Sequence, residues 1–153
     1  MERKPAKPSH LLNLGEKAPA FSLLDQSGKT VTLDEHRGKK NVVLIFYPGD
    51  NTPGCTRQLC AIRDQFDLFA DSETVVFGIN PQEAASHKRF IGKYNFPYPL
   101  LVDSEKSVVS AYGCRGTLMT KRTVYGINKE GIIVFARRGT PSVEEILKAF
   151  KEQ

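Results

Sequence analysis

Tryptophan is missing from the 153 residues, and cysteine occurs only three times, at positions 55, 60 and 114. With no tryptophan and no Cys-x-x-Cys pair, the chain lacks the usual signature of a dithiol redox motif. An odd cysteine count also argues against the disulfide framework of a small secreted domain. Long apolar runs are absent too. The longest, Val42 to Tyr47, is six residues, whereas a helix crossing a bilayer needs about 20. The first ten residues are polar and proline-rich, with no apolar centre of a secretory signal. Residues 1–12 therefore read as a flexible basic tail, and the protein is expected to be cytoplasmic, with no membrane partner. No repeat or linker is visible beyond that tail, so residues 13–153 are expected to form a single domain around one core.

Charge excludes little. The 22 basic and 17 acidic residues leave a net charge of +5, but basic clusters such as Lys39-Lys40, Lys121-Arg122 and Arg137-Arg138 are short. A solvated surface explains them better than a nucleic-acid groove. The three histidines, His10, His36 and His87, are scattered, and Cys-x4-Cys lacks the usual metal-ligand spacing, so no metal is expected. Ser27-Gly28-Lys29-Thr30 ends like a phosphate loop, but position 23 is leucine where that motif requires glycine.

What is present concentrates between residues 41 and 60. Asn41 to Tyr47 is short, β-branched and aromatic, and reads as a strand buried on both faces. Pro48 and Gly49 stop it. Thr52 is placed to cap a helix, Pro53 suits its first position, and Cys55 falls third, inside the first turn. A helix start offers unpaired N–H groups and a partial positive charge, which favour an ionised sulfur over a neutral one. The alternative is a cysteine packed as a small hydrophobe, although Gly54, Thr56 and Arg57 are poor company for a core.

Apolar Leu59, Ile62, Phe66 and Phe69 extend the helical period from Pro53 to about Ala70, with Cys60 on the same helix as Cys55. Five residues along a helix rise about 7.5 Å and turn about 140°, separating the two Cα atoms by roughly 8–9 Å. A disulfide requires Cα atoms within about 7 Å. The pair cannot close while the helix is intact, so any 55–60 bridge demands that the first turns unwind. Packing in the core is the other reading of Cys60.

Elsewhere the pattern predicts a hairpin over 21–33 turning at Gln26 to Gly28, and a buried strand at Thr74 to Ile79. A helix then starts from Asn80, Pro81 and Glu83 and runs to Tyr94. His87 lies on it and reads as structural. A short strand at Leu100 to Val102 precedes a helix capped by Asp103 and ending before Gly113. A second hairpin (Thr123 to Asn128, Ile132 to Ala136) and a helix at Ser142 to Lys151 close the chain. This order specifies an α/β domain, a mixed sheet covered by helices on both faces.

The Pro48-x-x-x-Thr52-x-x-Cys55 pattern resembles the active site of peroxiredoxins. The longer string Phe46 to Thr56, with Cys60 beyond it, is similar to the peroxiredoxin Q (bacterioferritin comigratory protein) subfamily. The likeness extends over Gly15 to Leu23, Ser86 to Phe90, Pro99 to Asp103, Ala111 to Gly113 and Arg122-Thr123. It implies a thioredoxin-like fold with an N-terminal β-hairpin, and reduction of hydrogen peroxide and organic hydroperoxides without cofactor, metal or haem. By position it implies that Cys55 is the peroxidatic cysteine and Cys60 the resolving cysteine. Thr52 would hydrogen-bond the sulfur and the peroxide, Pro48 would shield them, and Arg122 would be the distant active-site arginine. Thioredoxin or a similar dithiol is the implied reductant, and the chain is expected to be a monomer or weak homodimer.

Gln58 stands where many relatives carry glutamate. Asn80 and Gln82 replace a serine and an acidic residue, and Asn128 replaces an aspartate. Cys114 is outside the motif and reads as a small apolar residue past a helix end. Two other functional readings stay open on these residues: a peroxide-sensing relay to a partner protein, and a holdase-type binding role.

Overall fold

The computed structural model describes residues 10–152. Seven strands form one sheet: β1 (Ser22–Asp25), β2 (Thr30–Thr32), β3 (Asn41–Phe46), β4 (Thr74–Asn80), β5 (Leu100–Val102), β6 (Thr123–Ile127) and β7 (Ile133–Arg138). Their order across the sheet is β2-β1-β5-β4-β3-β6-β7. β3, β4 and β5 are parallel, and antiparallel strands flank them on both sides. The expected mixed sheet with an N-terminal hairpin is what forms.

Five helices cover it: α1 (Pro53–Asp64), α2 (Phe66–Asp71), α3 (Ala84–Tyr94), α4 (Ser107–Ala111) and α5 (Val143–Lys151). Strand alternation divides β3 between two cores. Val42, Leu44 and Phe46 face Val108, Val109 and Tyr112 around α4. Val43, Ile45 and Tyr47 face the opposite layer, with Leu59 and Ile62 of α1, Phe69 of α2, Phe90 of α3 and Val143 and Ile146 of α5. Both sides of β3 are thus sealed, which is why its sequence is continuously apolar.

Three local expectations change. The helix expected over 53–70 is interrupted at Gln65 (φ −118°, ψ 19°), leaving α1 and α2. The break lets Phe66 pack against Tyr98 and Phe69 bury completely. α3 begins at Ala84, not at Asn80, with Glu83 in the cap position. β4 captures Asn80 by pairing it with Val102. A short 3₁₀ turn at Asp34–His36, not anticipated, follows β2.

Asp103 behaves as a cap in substance: its carboxylate accepts from the backbone N–H groups of Val108 and Val109. α5 carries a full capping box between Ser142 and Glu145. Of the tail expected over 1–12, residues 1–9 lie outside the described residues. Its inner end lies on the body, with Leu11 and Leu12 packed against the core and the Leu12 N–H donated to Tyr125 Oη at 3.1 Å.

Gly78 in β4 matters for the site above it. A Cβ there would lie 2.6 Å from Leu100 Cδ2 and 3.0 Å from Tyr47 Cε1, both on fully buried side chains. Gly78→Ala is expected to destabilise the fold by about 1–3 kcal/mol through overpacking. Urea unfolding should show a lower midpoint at unchanged slope; an unmoved midpoint would mean Tyr47 is not held in this way.

Candidate active site

β3 and α1 are joined by residues 47–52, and β6 supplies the far partner. The antiparallel pairing of Phe46 with Thr123 sets the start of β6 beside the end of β3. Arg122, one residue before β6, therefore reaches the first turn of α1. Its Nη2 donates to Cys55 Sγ at 3.3 Å, and its Nη1 donates to Gln58 Oε1 at 2.7 Å. Cys55 and Gln58 are three apart on one helix face, so a single guanidinium bridges both. Gly54 makes room for it: a Cβ there would sit 3.2 Å from Nη2.

Cys55 is third in α1, as its sequence neighbours dictate, and completely buried. Two sources of positive potential converge on it. The guanidinium does not lose its proton at any working pH, and the first-turn amides lack intrahelical acceptors. Both direct positive potential at the sulfur. Gln58 is neutral, so it orients the guanidinium without cancelling its charge. Because arginine only donates, the amide oxygen must face it, leaving Gln58 Nε2 buried with no partner among the described residues.

The other expected site residues make no recorded bond to this pair. Thr52 has the extended backbone of a cap residue, but its side chain caps nothing and its hydroxyl donates to the Gly49 carbonyl at 3.0 Å. Pro48 lines a cavity of about 210 Å³ with Pro81, Val109, Leu118 and Met119. Cys60 is half-buried further along the unbroken α1. Both it and Cys55 are free thiols.

A second polar cluster, invisible in the sequence, lies under the same loop. Asp50 has a side chain only 2% exposed, against the fully buried ring of His87. Its Oδ1 accepts from Tyr47 Oη at 2.6 Å and Asn80 Nδ2 at 3.2 Å. Its Oδ2 accepts from Ser86 Oγ at 2.7 Å and bonds His87 Nδ1 at 2.6 Å. Burial pushes the Asp50 carboxyl up, but the bonds from His87, Tyr47 and Ser86 prevail and hold it below the usual carboxylate range. Tyr47, buried and facing that carboxylate, is pushed far above the ordinary phenol range. His87, read as structural, is tied into the fold through Nε2 to the Leu101 carbonyl at 2.9 Å. Asp50 and His87 are 37 residues apart, a separation that no local pattern bridges.

Cys114 is also completely buried. Burial is the main reason its thiol is pushed up to about 11, against opposing pulls from Thr123 and Arg138.

The site thus sets a cysteine at a helix start, over the end of a central strand in a thioredoxin-like sheet and facing an arginine. The chain belongs to the AhpC/TSA family, whose model matches residues 14–136. It is 43% identical to "Peroxiredoxin Q, chloroplastic" of Triticum aestivum over 125 residues, which are 79% of this chain and 57% of that protein. It is 37% identical to "Putative peroxiredoxin bcp" of Coxiella burnetii over 130 residues, 80% of this chain and 85% of that one. Among solved structures, the peroxidoxin BcpB of Mycobacterium tuberculosis superposes with a TM-score of 0.86 at 28% identity, covering 94% of this chain and 98% of its own. The chain thus spans under three fifths of the length of the wheat relative.

Two outcomes test this geometry. At pH 8, iodoacetamide should label Cys114 far more slowly than Cys60 in the native protein, read by peptide mass spectrometry; equal labelling would contradict its burial. The depressed Asp50 value carries a stability sign as well. Its contribution is fully present above the unfolded-state value near 3.8 and is lost as pH falls through the lower native value. Thermal unfolding of Asp50→Asn should lose the part of the acid dependence of stability that lies below pH 4.

Proposed function

We propose that the protein is a thiol peroxidase that reduces hydrogen peroxide and organic hydroperoxides, with Cys55 as nucleophile and Cys60 as resolving cysteine. The observation that carries this reading is the 3.3 Å contact between Arg122 Nη2 and Cys55 Sγ at the first turn of α1. The Cys55 thiolate attacks the terminal oxygen of a hydroperoxide. The O–O bond breaks, the departing alkoxide or hydroxide takes up a proton and leaves as alcohol or water, and Cys55 is left as a sulfenic acid. Charge grows on the leaving oxygen, and donors fixed in advance lower that barrier. Arg122 supplies one set. Thr52 supplies another once its hydroxyl turns from the Gly49 carbonyl to the peroxide. Pro48 keeps bulk water off the sulfur.

Resolution requires α1 to open, because an intact helix keeps the two Cα atoms about 8–9 Å apart. Its two halves are held unequally. Downstream, Leu59 and Ile62 are buried, the Leu59 carbonyl accepts from Tyr98 Oη at 2.5 Å, and Arg63 Nη1 donates to the Tyr94 carbonyl at 2.7 Å. Upstream, the turn rests mainly on Cys55 and on Gln58 through Arg122. The upstream turn is the part that unwinds. Cys60 then attacks the sulfenic sulfur, water departs and a disulfide forms. A dithiol of the thioredoxin type returns both sulfurs to thiols by exchange. The chain works as a monomer or weak homodimer, in the cytoplasm.

Rapid mixing of the reduced protein with one equivalent of hydrogen peroxide, followed by intact-mass analysis, should give a product lighter by two hydrogen atoms and bridged at 55–60. Cys55→Ser should abolish peroxide consumption. Cys60→Ser should be oxidised once and then stop. Full thioredoxin-linked turnover by Cys60→Ser would assign resolution to another route, and normal consumption by Cys55→Ser would end the proposal.

A further inference from the structure

We infer that Asp50 is a positioning residue for Cys55: together with His87 it anchors the loop leading into α1 to α3 and to the end of β4. The inference rests on the peroxidase reading of Cys55, but its geometry stands apart from it. A carboxylate offers about four lone-pair sites, and Asp50 uses all four, for Tyr47, Asn80, Ser86 and His87. The Asp50 backbone N–H is also taken, by Gln82 Oε1. Gln82 is in turn fixed, its N–H on Asn80 Oδ1 at 2.9 Å and its Nε2 on Ser86 Oγ at 3.2 Å. The partners come from β3's end, β4's end and α3, three elements that meet only in the tertiary fold.

The His87 ring is held at both of its nitrogens. The Leu101 carbonyl can only accept, so Nε2 must donate to it. An ionised Asp50 can only accept, so Nδ1 must donate as well. Carboxylate and ring therefore meet in a fully buried hydrogen bond, with both ring nitrogens engaged. The next residue, Asn51, adopts a left-handed backbone (φ 60°), and its Oδ1 accepts from Lys93 Nζ and Tyr94 Oη of α3, both at 3.4 Å. α3 thus grips the loop at two consecutive residues. Only four positions separate Asp50 from Cys55, so the start of α1 inherits the placement of this anchor. It also bounds the unwinding described above: the moving segment lies between Asp50 and the pinned Leu59 carbonyl.

The test removes the anchor's acceptors and donors one at a time while leaving its volume. Asp50→Asn, Tyr47→Phe and Ser86→Ala are compared with the wild-type chain at 25 °C, well below each variant's own unfolding temperature. Two single-turnover rates are measured at Cys55, with hydrogen peroxide and with iodoacetamide. Asp50→Asn should slow both by about ten- to a hundredfold, the scale of a misplaced reacting group, with the single-donor variants slowed less. Thermal unfolding is followed in parallel. If Asp50→Asn lowers the unfolding temperature but leaves both rates at wild-type values, Asp50 only stabilises and the inference is overturned. Should Asp50→Asn not fold, unchanged rates in Tyr47→Phe and Ser86→Ala overturn it equally. Wild-type protein inert to peroxide would refute the peroxidase reading alone, and the alkylation rates would still decide the positioning role.

Discussion

A sulfur buried against a guanidinium is the constraint on which the rest depends. Removing a nucleophile from water suppresses its charge unless the protein supplies a replacement for the lost hydration. Here a helix start and Arg122, whose Nη2 lies 3.3 Å from the sulfur, are delivered to it by different parts of the chain. β3 aims the helix, the pairing of β3 with β6 aims the arginine, and Gly54 keeps the approach clear. The sealed two-faced core around β3 gives these three parts one rigid reference.

Cys114 shows what happens without that delivery. It too is fully buried and has an arginine nearby, but Arg138 Nη1 lies 3.8 Å from its sulfur. That guanidinium is committed elsewhere, to Thr123 Oγ1 and the Gly113 carbonyl, both at 2.8 Å. Cys114 also follows a helix instead of starting one, where the backbone presents carbonyls and negative partial charge. Burial then dominates and the thiol is held protonated. Two cysteines with equal exposure thus have surroundings that differ in the direction of their backbone dipoles and in how closely a guanidinium approaches the sulfur.

The site combines stiffness with a deliberate weak point. The loop before α1 is clamped through Asp50 and Asn51, and the helix beyond Leu59 is clamped through Tyr98, Tyr94 and the apolar layer. The turn between them has few apolar anchors and depends on contacts with the sulfur's own partner. In the proposed mechanism, chemistry at Cys55 acts on the least supported segment of the helix, and the rest of the fold has no need to move with it.

Much of this was legible in the chain itself. Alternation and β-branching marked the strands, the Thr-Pro-Gly-Cys string marked the helix start, and helix geometry alone required α1 to open before Cys55 and Cys60 could join. These are local properties, set by period, backbone torsion and terminal dipoles within a few residues. Local signals misplaced the start of α3, where β4 pairing claimed Asn80, and the continuity of α1 into α2, where two phenylalanines needed separate directions. Thr52 was placed correctly as a cap position, yet its hydroxyl turned to Gly49. The contact of Arg122 with Cys55 and the junction of Asp50 with His87 were decided by tertiary structure alone. Both join residues dozens of positions apart, brought together by strand pairing and helix packing, and only a folded interior, by stripping away water, makes such polar contacts strong.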